Sequence, residues 1–150
     1  MFKQLVLDCF DLIDIEFVFH KASSILGVDI SIFNTNVSID NNIRAFGSHK
    51  FGEINISSSF ISDTLNNLLI DIIHPKKREN FIKYFIEATL SHEIHHAYMY
   101  LCKNKEYLKL KDLEMDYAKD ILELEADTFM INYMKKYYGE IGLKVAQVSK

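Results

Sequence analysis

The stretch TLSHEIHHAY, residues 89–98, places three of the chain's six histidines and a glutamate inside an otherwise apolar segment. Around it stand Phe81, Ile82, Phe85, Ile86, Leu90, Ile94, Ala97, Met99 and Leu101, which cover a helical wheel almost completely. That distribution predicts a helix over residues 79–103 that is buried on most sides. Imidazoles and a carboxylate inside such a helix need partners, and one bound cation satisfies all of them together. The rest of the chain must therefore both cover this helix and complete its polar cluster.

At about 100° per residue, His96 stands one turn above His92 and about 40° round the helix, so the two rings can grip one ion. Glu93 lies about 100° from His92, beside that ion without needing to ligate it. This is the H-E-x-x-H pattern, with His92 and His96 as candidate ligands and Glu93 as candidate general base. His95 lies about 60° to the other side, so helix geometry leaves a pairing of His92 with His95 open. The preference for His96 comes from the role it leaves to Glu93; otherwise His95 is a flanking histidine bonded to backbone or solvent.

A catalytic zinc needs a third protein ligand, and ELEAD, residues 123–127, offers one. It falls in a second expected helix over residues 112–138, with Leu113, Tyr117, Ile121 and Leu124 along one stripe and Leu122, Ala126, Phe129 and Tyr133 along another. Glu123 and Asp127 are four apart and share a face, while Glu125 points about 160° away. Glu123 can then reach the ion, and Asp127 can accept a hydrogen bond from a ligating imidazole. The alternative is a solvated acidic stripe of Asp116, Asp120, Glu123 and Asp127. The upstream motif favours the ligand reading. Tyr100, about 80° from His92 on the wheel, shares the active face and is a candidate oxyanion donor, with packing at the rim as its alternative. His20, His49 and His74 read as ordinary histidines of loop or surface.

Upstream, residues 2–26 suit one or two helices ended by Gly27, although the alternation in IEFVFH keeps a short strand open. VDISIF sets Val28, Ile30 and Ile32 on one face, and GEINIS sets Ile54 and Ile56 opposite Glu53, Asn55 and Ser57; both read as half-buried strands. Turn signals at DNN (40–42) and GSHK (47–50) make a sheet of three or four antiparallel strands the economical reading. SDTLNNLLIDII then reads as a short helix opened by a Ser or Asp cap, followed by the loop HPKKRE around the single proline, Pro75.

With 150 residues, 49% of them hydrophobic, the chain suits one domain, 1–150, of the α+β class. The net charge of −4, with KKR as the longest basic run, argues against a nucleic-acid partner. Asp8, Asp11 and Asp14 interrupt the apolar N-terminal run, so no membrane segment or secretion signal is expected and the cytoplasm is the expected location. Cys9 and Cys102 are far apart in sequence and read as reduced thiols.

HEIHH followed by ELEADTF resembles the gluzincin metallopeptidases, in which an H-E-x-x-H helix precedes a second helix bearing E-x-x-x-D. The order of a helix, GVDIS, a small sheet ending in GEINIS and two helices is similar to the ImmA/IrrE peptidases, although that family commonly has LG where this chain has Ile94 and His95. The resemblance implies a minimal zincin-like domain, with a small antiparallel or mixed sheet packed on the active-site helix. It implies one zinc ion on His92, His96 and Glu123, with Glu93 as base and Asp127 behind a ligand. It further implies a metalloendopeptidase acting on a protein or peptide, such as a regulator, with an extended substrate lying along GEINIS. The alternative is a protein-binding or regulatory module that keeps the scaffold without proteolysis.

Overall fold

In the computed structural model, residues 1–33, 36–112 and 116–149 are described, residues 116–120 by their backbone alone. The elements are α1 (Lys3–Asp11), α2 (Ile15–Leu26), a 3₁₀ turn (Ile30–Ile32), β1 (Val37–Ile39), β2 (Gly47–Lys50), β3 (Glu53–Ile56), α3 (Ser58–Asp71), α4 (Pro75–Cys102), α5 (Asn104–Asp112) and α6 (Asp116–Ser149). Helix dominates, and the class is α+β. No helix among the described residues is long and apolar enough to cross a membrane.

The helix α4 is the centre of the packing. Its most extensive partner is α6, and α1, α2, α5, β2 and β3 pack on its other sides. Ile82, Phe85, Ile86, Leu90, Ile94 and Ala97 are fully buried as a result, which is why the segment is apolar all round. The helix starts at Pro75, earlier than expected, because proline's fixed φ suits a first helical position and its missing N–H has no partner to lose there. HPKKRE is thus an N-cap and first turns rather than a loop. Arg78 of that turn donates to the carbonyls of Leu69 (3.0 Å) and Ile72 (2.8 Å) at the end of α3.

The N-terminal segment forms two helices, and IEFVFH is helical rather than extended. Asp14 caps α2 by accepting from the Phe17 N–H at 3.0 Å, and Gly27, at φ 71°, ends it. The strand expected at VDISIF does not form. Asp29 Oδ1 accepts from the Ser31 N–H at 2.8 Å, which curls the backbone into the 3₁₀ turn before any strand can extend.

The sheet has the order β1-β3-β2 and is mixed: β2 pairs antiparallel with β3, whereas β1 runs parallel to it. GEINIS supplies β3 with Ile54 and Ile56 buried, as its alternation predicts, but as the central strand. Both of its edges are already paired, so no substrate strand can add along GEINIS. GSHK, expected as a turn, is the edge strand β2, and the turn falls at Phe51-Gly52. Both loop residues have positive φ, 52° and 84°, the pattern of a type I′ hairpin.

In α6 the stripe Leu122, Ala126, Phe129 and Tyr133 is buried, while Leu124 of the other expected stripe is exposed. Leu113 and the side chain of Tyr117 lie outside the described residues. Gly139 (φ 63°, ψ −138°) breaks α6, and the segment after it folds back on the first part. Val145 and Ala146 enter the core, and Ser149 Oγ lies 3.5 Å from Met130 Sδ. Gly142 permits this return: a Cβ there would lie 2.1 Å from the Met134 carbonyl oxygen. The residues between the two expected long helices form α5, whose Tyr107 packs in a small cluster with Met99 and Leu122.

Candidate metal centre

The packing of α4 on α6 brings the two halves of the sequence pattern together. His92 and His96 stand one turn apart on α4, their rings edge to face and their Nε2 atoms 3.2 Å from each other. Glu123 of α6 sets Oε2 2.9 Å from His92 Nε2 and Oε1 3.2 Å from His96 Nε2. One ligand atom from each of these three residues lies within 4.8 Å of the others, so the group could hold a metal ion. Glu93 is buried beside them, its Oε1 3.9 Å from His92 Nε2.

Asp127, one turn beyond Glu123, lies 3.0 Å from His92 Nδ1. A carboxylate there favours the tautomer protonated at Nδ1, which leaves a lone pair on Nε2. In a neutral ring, that lone pair faces the oxygens of Glu123, which are acceptors only. Such a meeting of electron pairs is stable only with a proton or a metal cation between them. Two imidazole nitrogens and one carboxylate are also a donor set that suits zinc, with a fourth position left for water.

The electrostatics follow from this crowding. Hydrogen bonds with His92 and His96 hold the Glu123 carboxyl far below the usual carboxylate range. Burial acts to lower His92, but the Glu123 hydrogen bond and the charges of Glu93, Glu123 and Asp127 outweigh it and raise the ring above its ordinary value. Burial raises the Glu93 carboxyl above its ordinary value.

A cleft of about 390 Å³ opens onto Glu93, His92, Glu123 and Asp127. The segment from Arg44 to Gly47, with Phe60, Thr89 and Ser149, completes its lining. Gly47 is where β2 touches α4: a Cβ there would lie 2.9 Å from Thr89 Cγ2 and 3.2 Å from Glu93 Cγ. The bare backbone thus supports the Glu93 side chain directly. From there β2 advances along α4, with His49 stacked on His96 (centroids 6.5 Å) and Phe51 against Tyr100 (6.3 Å). Arg44, Phe46 and Phe60 carried no sequence signal and Gly47 only that of a turn, since each becomes part of the site only through the sheet's docking on α4.

The remaining candidates sort clearly. His95 faces away from the cluster, between Tyr98 and Phe129, and burial lowers its ring to about 4. Glu125 is exposed and lines a separate groove with His95. Tyr100 packs on His49 and Tyr107 in a neighbouring depression and does not line the cleft. His49 lies in β2 instead of a loop; its Nε2 accepts from the Gly52 N–H at 2.8 Å, and burial lowers the ring to about 4. His74 is the exposed residue before Pro75, and His20 is half-exposed beside Glu16. The side chains of Asp116 and Asp120 lie outside the described residues.

No family model, curated protein or solved structure matches the chain.

Proposed function

We propose that the chain is a zinc-dependent metallopeptidase of the gluzincin type, similar in plan to the ImmA/IrrE peptidases. The observation that carries this reading is the convergence of His92, His96 and Glu123, from two helices, beside the buried carboxylate of Glu93. Those three residues would hold the ion, with Asp127 keeping the His92 ring in its ligating tautomer. Zinc bound there supplies Lewis-acid chemistry, lowering the pKa of water to about 7 and polarising a carbonyl.

Glu93 does the proton work. It takes a proton from the attacking water as the new C–O bond forms, then returns that proton to the amine nitrogen as the C–N bond breaks. Its burial suits the first half of this cycle, because a carboxylate whose pKa is raised is the stronger base. The free edge of β2, rather than GEINIS, suits an extended peptide segment of a protein or peptide substrate, since its Gly47 meets Glu93 and its His49 ring stacks on His96. A flexible segment can add a strand there, whereas a folded one has no spare backbone groups to offer.

Glu93→Gln keeps the shape of the side chain and removes the base. Hydrolysis of unfolded casein should fall by about 10²–10⁴-fold, while stoichiometric zinc remains by elemental analysis. Undiminished hydrolysis in that variant would end the proposal. Zinc retained by a wild type that cleaves nothing would leave a binding module on the same scaffold.

A further inference from the structure

We propose that Arg44 selects substrates bearing a carboxylate on the C-terminal side of the cleaved bond; this rests on the peptidase reading above. Among the described residues Arg44 is the only lysine or arginine lining the cleft, beside the carboxylates Glu93, Glu123 and Asp127. It is exposed, and among the described residues it takes part in no ion pair. Its neighbours' negative charge is engaged elsewhere, with Glu123 on both imidazoles and Asp127 on His92 Nδ1. The guanidinium is therefore available to a ligand, and its planar fork matches a carboxylate with two parallel hydrogen bonds.

The direction of β2 decides which part of a substrate meets it. The strand runs alongside α4 in the same sense, Gly47 at Thr89 and Glu93, His49 at His96, Phe51 at Tyr100. A peptide pairing antiparallel with its free edge runs the other way, so residues following the cleaved bond move past Gly47 towards Arg44. Three residues of extended chain span at most about 10 Å, which with the reach of an arginine places the carboxylate one to three residues downstream. Two sources share this chemistry: an acidic side chain and a free terminal carboxylate.

The test is a position-scanning octapeptide library offered to the zinc-loaded chain in two arms, with cleavage sites read by mass spectrometry. Amidated peptides carrying Asp or Glu report side-chain recognition, and acid-free peptides with free C-termini report the terminal carboxylate. In at least one arm, kcat/KM should favour the downstream carboxylate over its neutral counterpart by about tenfold. Arg44→Gln should bring that ratio near unity, mainly through KM, and Arg44→Glu should move the preference to Lys and Arg. Binding of the same peptides to zinc-loaded Glu93→Gln reads the discrimination without turnover. An unchanged ratio in Arg44→Gln, a preference on the upstream side, or cleavage indifferent to carboxylates would each overturn the proposal. Absence of cleavage with carboxylate-selective binding would overturn the peptidase reading alone, whereas absence of both would overturn the two together.

Discussion

Two polar clusters lie between α4 and its neighbours only five residues apart, one at Glu87 and one at His92. At Glu87 the carboxylate accepts from Lys21 of α2 and from Tyr133 and Tyr138 of α6, and Lys21 Nζ also donates to the Tyr138 hydroxyl at 2.9 Å. The ammonium lies over the faces of Phe17, Tyr137 and Tyr138, at 4.7, 5.2 and 5.1 Å. One cation, one anion and two phenol donors close this cluster on itself. Burial, and then the charge and hydrogen bonding of Glu87, raises both phenols well above their ordinary range, so they stay protonated and keep donating. At His92 no lysine or arginine among the described residues pairs with Glu93, Glu123 or Asp127. The first cluster is complete as protein; the second needs a proton or an added cation between His92 and Glu123. That difference separates a fastening between helices from a site.

Removing one carboxylate from each cluster should therefore give opposite results. Glu87→Ala leaves Lys21 buried without its counter-ion and should destabilise the fold by about 3–5 kcal/mol. Glu123 has a side chain 47% exposed at the cleft mouth, and Glu123→Ala should change stability in the presence of a chelator by under about 1 kcal/mol. Its loss should appear in zinc affinity, beyond the roughly 10–100-fold typical of a residue that only orients a ligand. Urea unfolding with chelator and zinc titration by competition measure the two quantities. Equal responses from the two variants would break the distinction.

The two clusters also differ in how far they could be read from sequence. His92, Glu93 and His96 declare themselves through one helical turn, and Glu123 and Asp127 through another, so only the meeting of two helices had to be inferred. The Glu87 cluster joins residues 66 and 51 positions apart, and no local pattern reports such a closure. The same limit explains the misread sheet. GEINIS alternates cleanly because its two faces differ, but its central place depends on the parallel partner β1. GSHK lacks a strand signature because Gly47 is fitted to Thr89 and Glu93, a contact made in space. VDISIF shows the reverse, a strand pattern overridden by one aspartate cap.

Gly47 gives the next test, because it couples β2 to the open cluster while leaving the closed one untouched. In Gly47→Ala the added methyl must displace Thr89 Cγ2 and Glu93 Cγ, for about 1–3 kcal/mol of overpacking. A shift of Glu93 by about 1 Å can cost on the order of 10²-fold in rate. Casein hydrolysis should thus fall steeply in kcat while bound zinc stays stoichiometric. Zinc loss in step with activity would mean that β2 supports the ligands rather than the base.

The smallest expected effect has the opposite sign and concerns where strain is held. Among the described residues Phe51 is the only one other than glycine with positive φ, and it sits at the tip of the hairpin that carries β2 past the open cluster. The left-handed region sets the Cβ of an L residue against its own carbonyl, at about 1–2 kcal/mol, and asparagine tolerates it better than phenylalanine. Phe51 has little to offset this, because its side chain is largely exposed and its ring reaches Tyr100 only at its edge. Phe51→Asn gives the Asn-Gly pair that type I′ turns prefer and should stabilise the fold by about 0.5–1 kcal/mol, read from the urea midpoint. Removing a side chain's chemistry beside the closed cluster does the reverse: Tyr138→Phe withdraws a donor from the buried Glu87 carboxylate and should destabilise by about 1–3 kcal/mol. If Phe51→Asn also weakens peptide cleavage, the strained ring is part of how the edge strand receives its substrate, as retained strain at a working site would require.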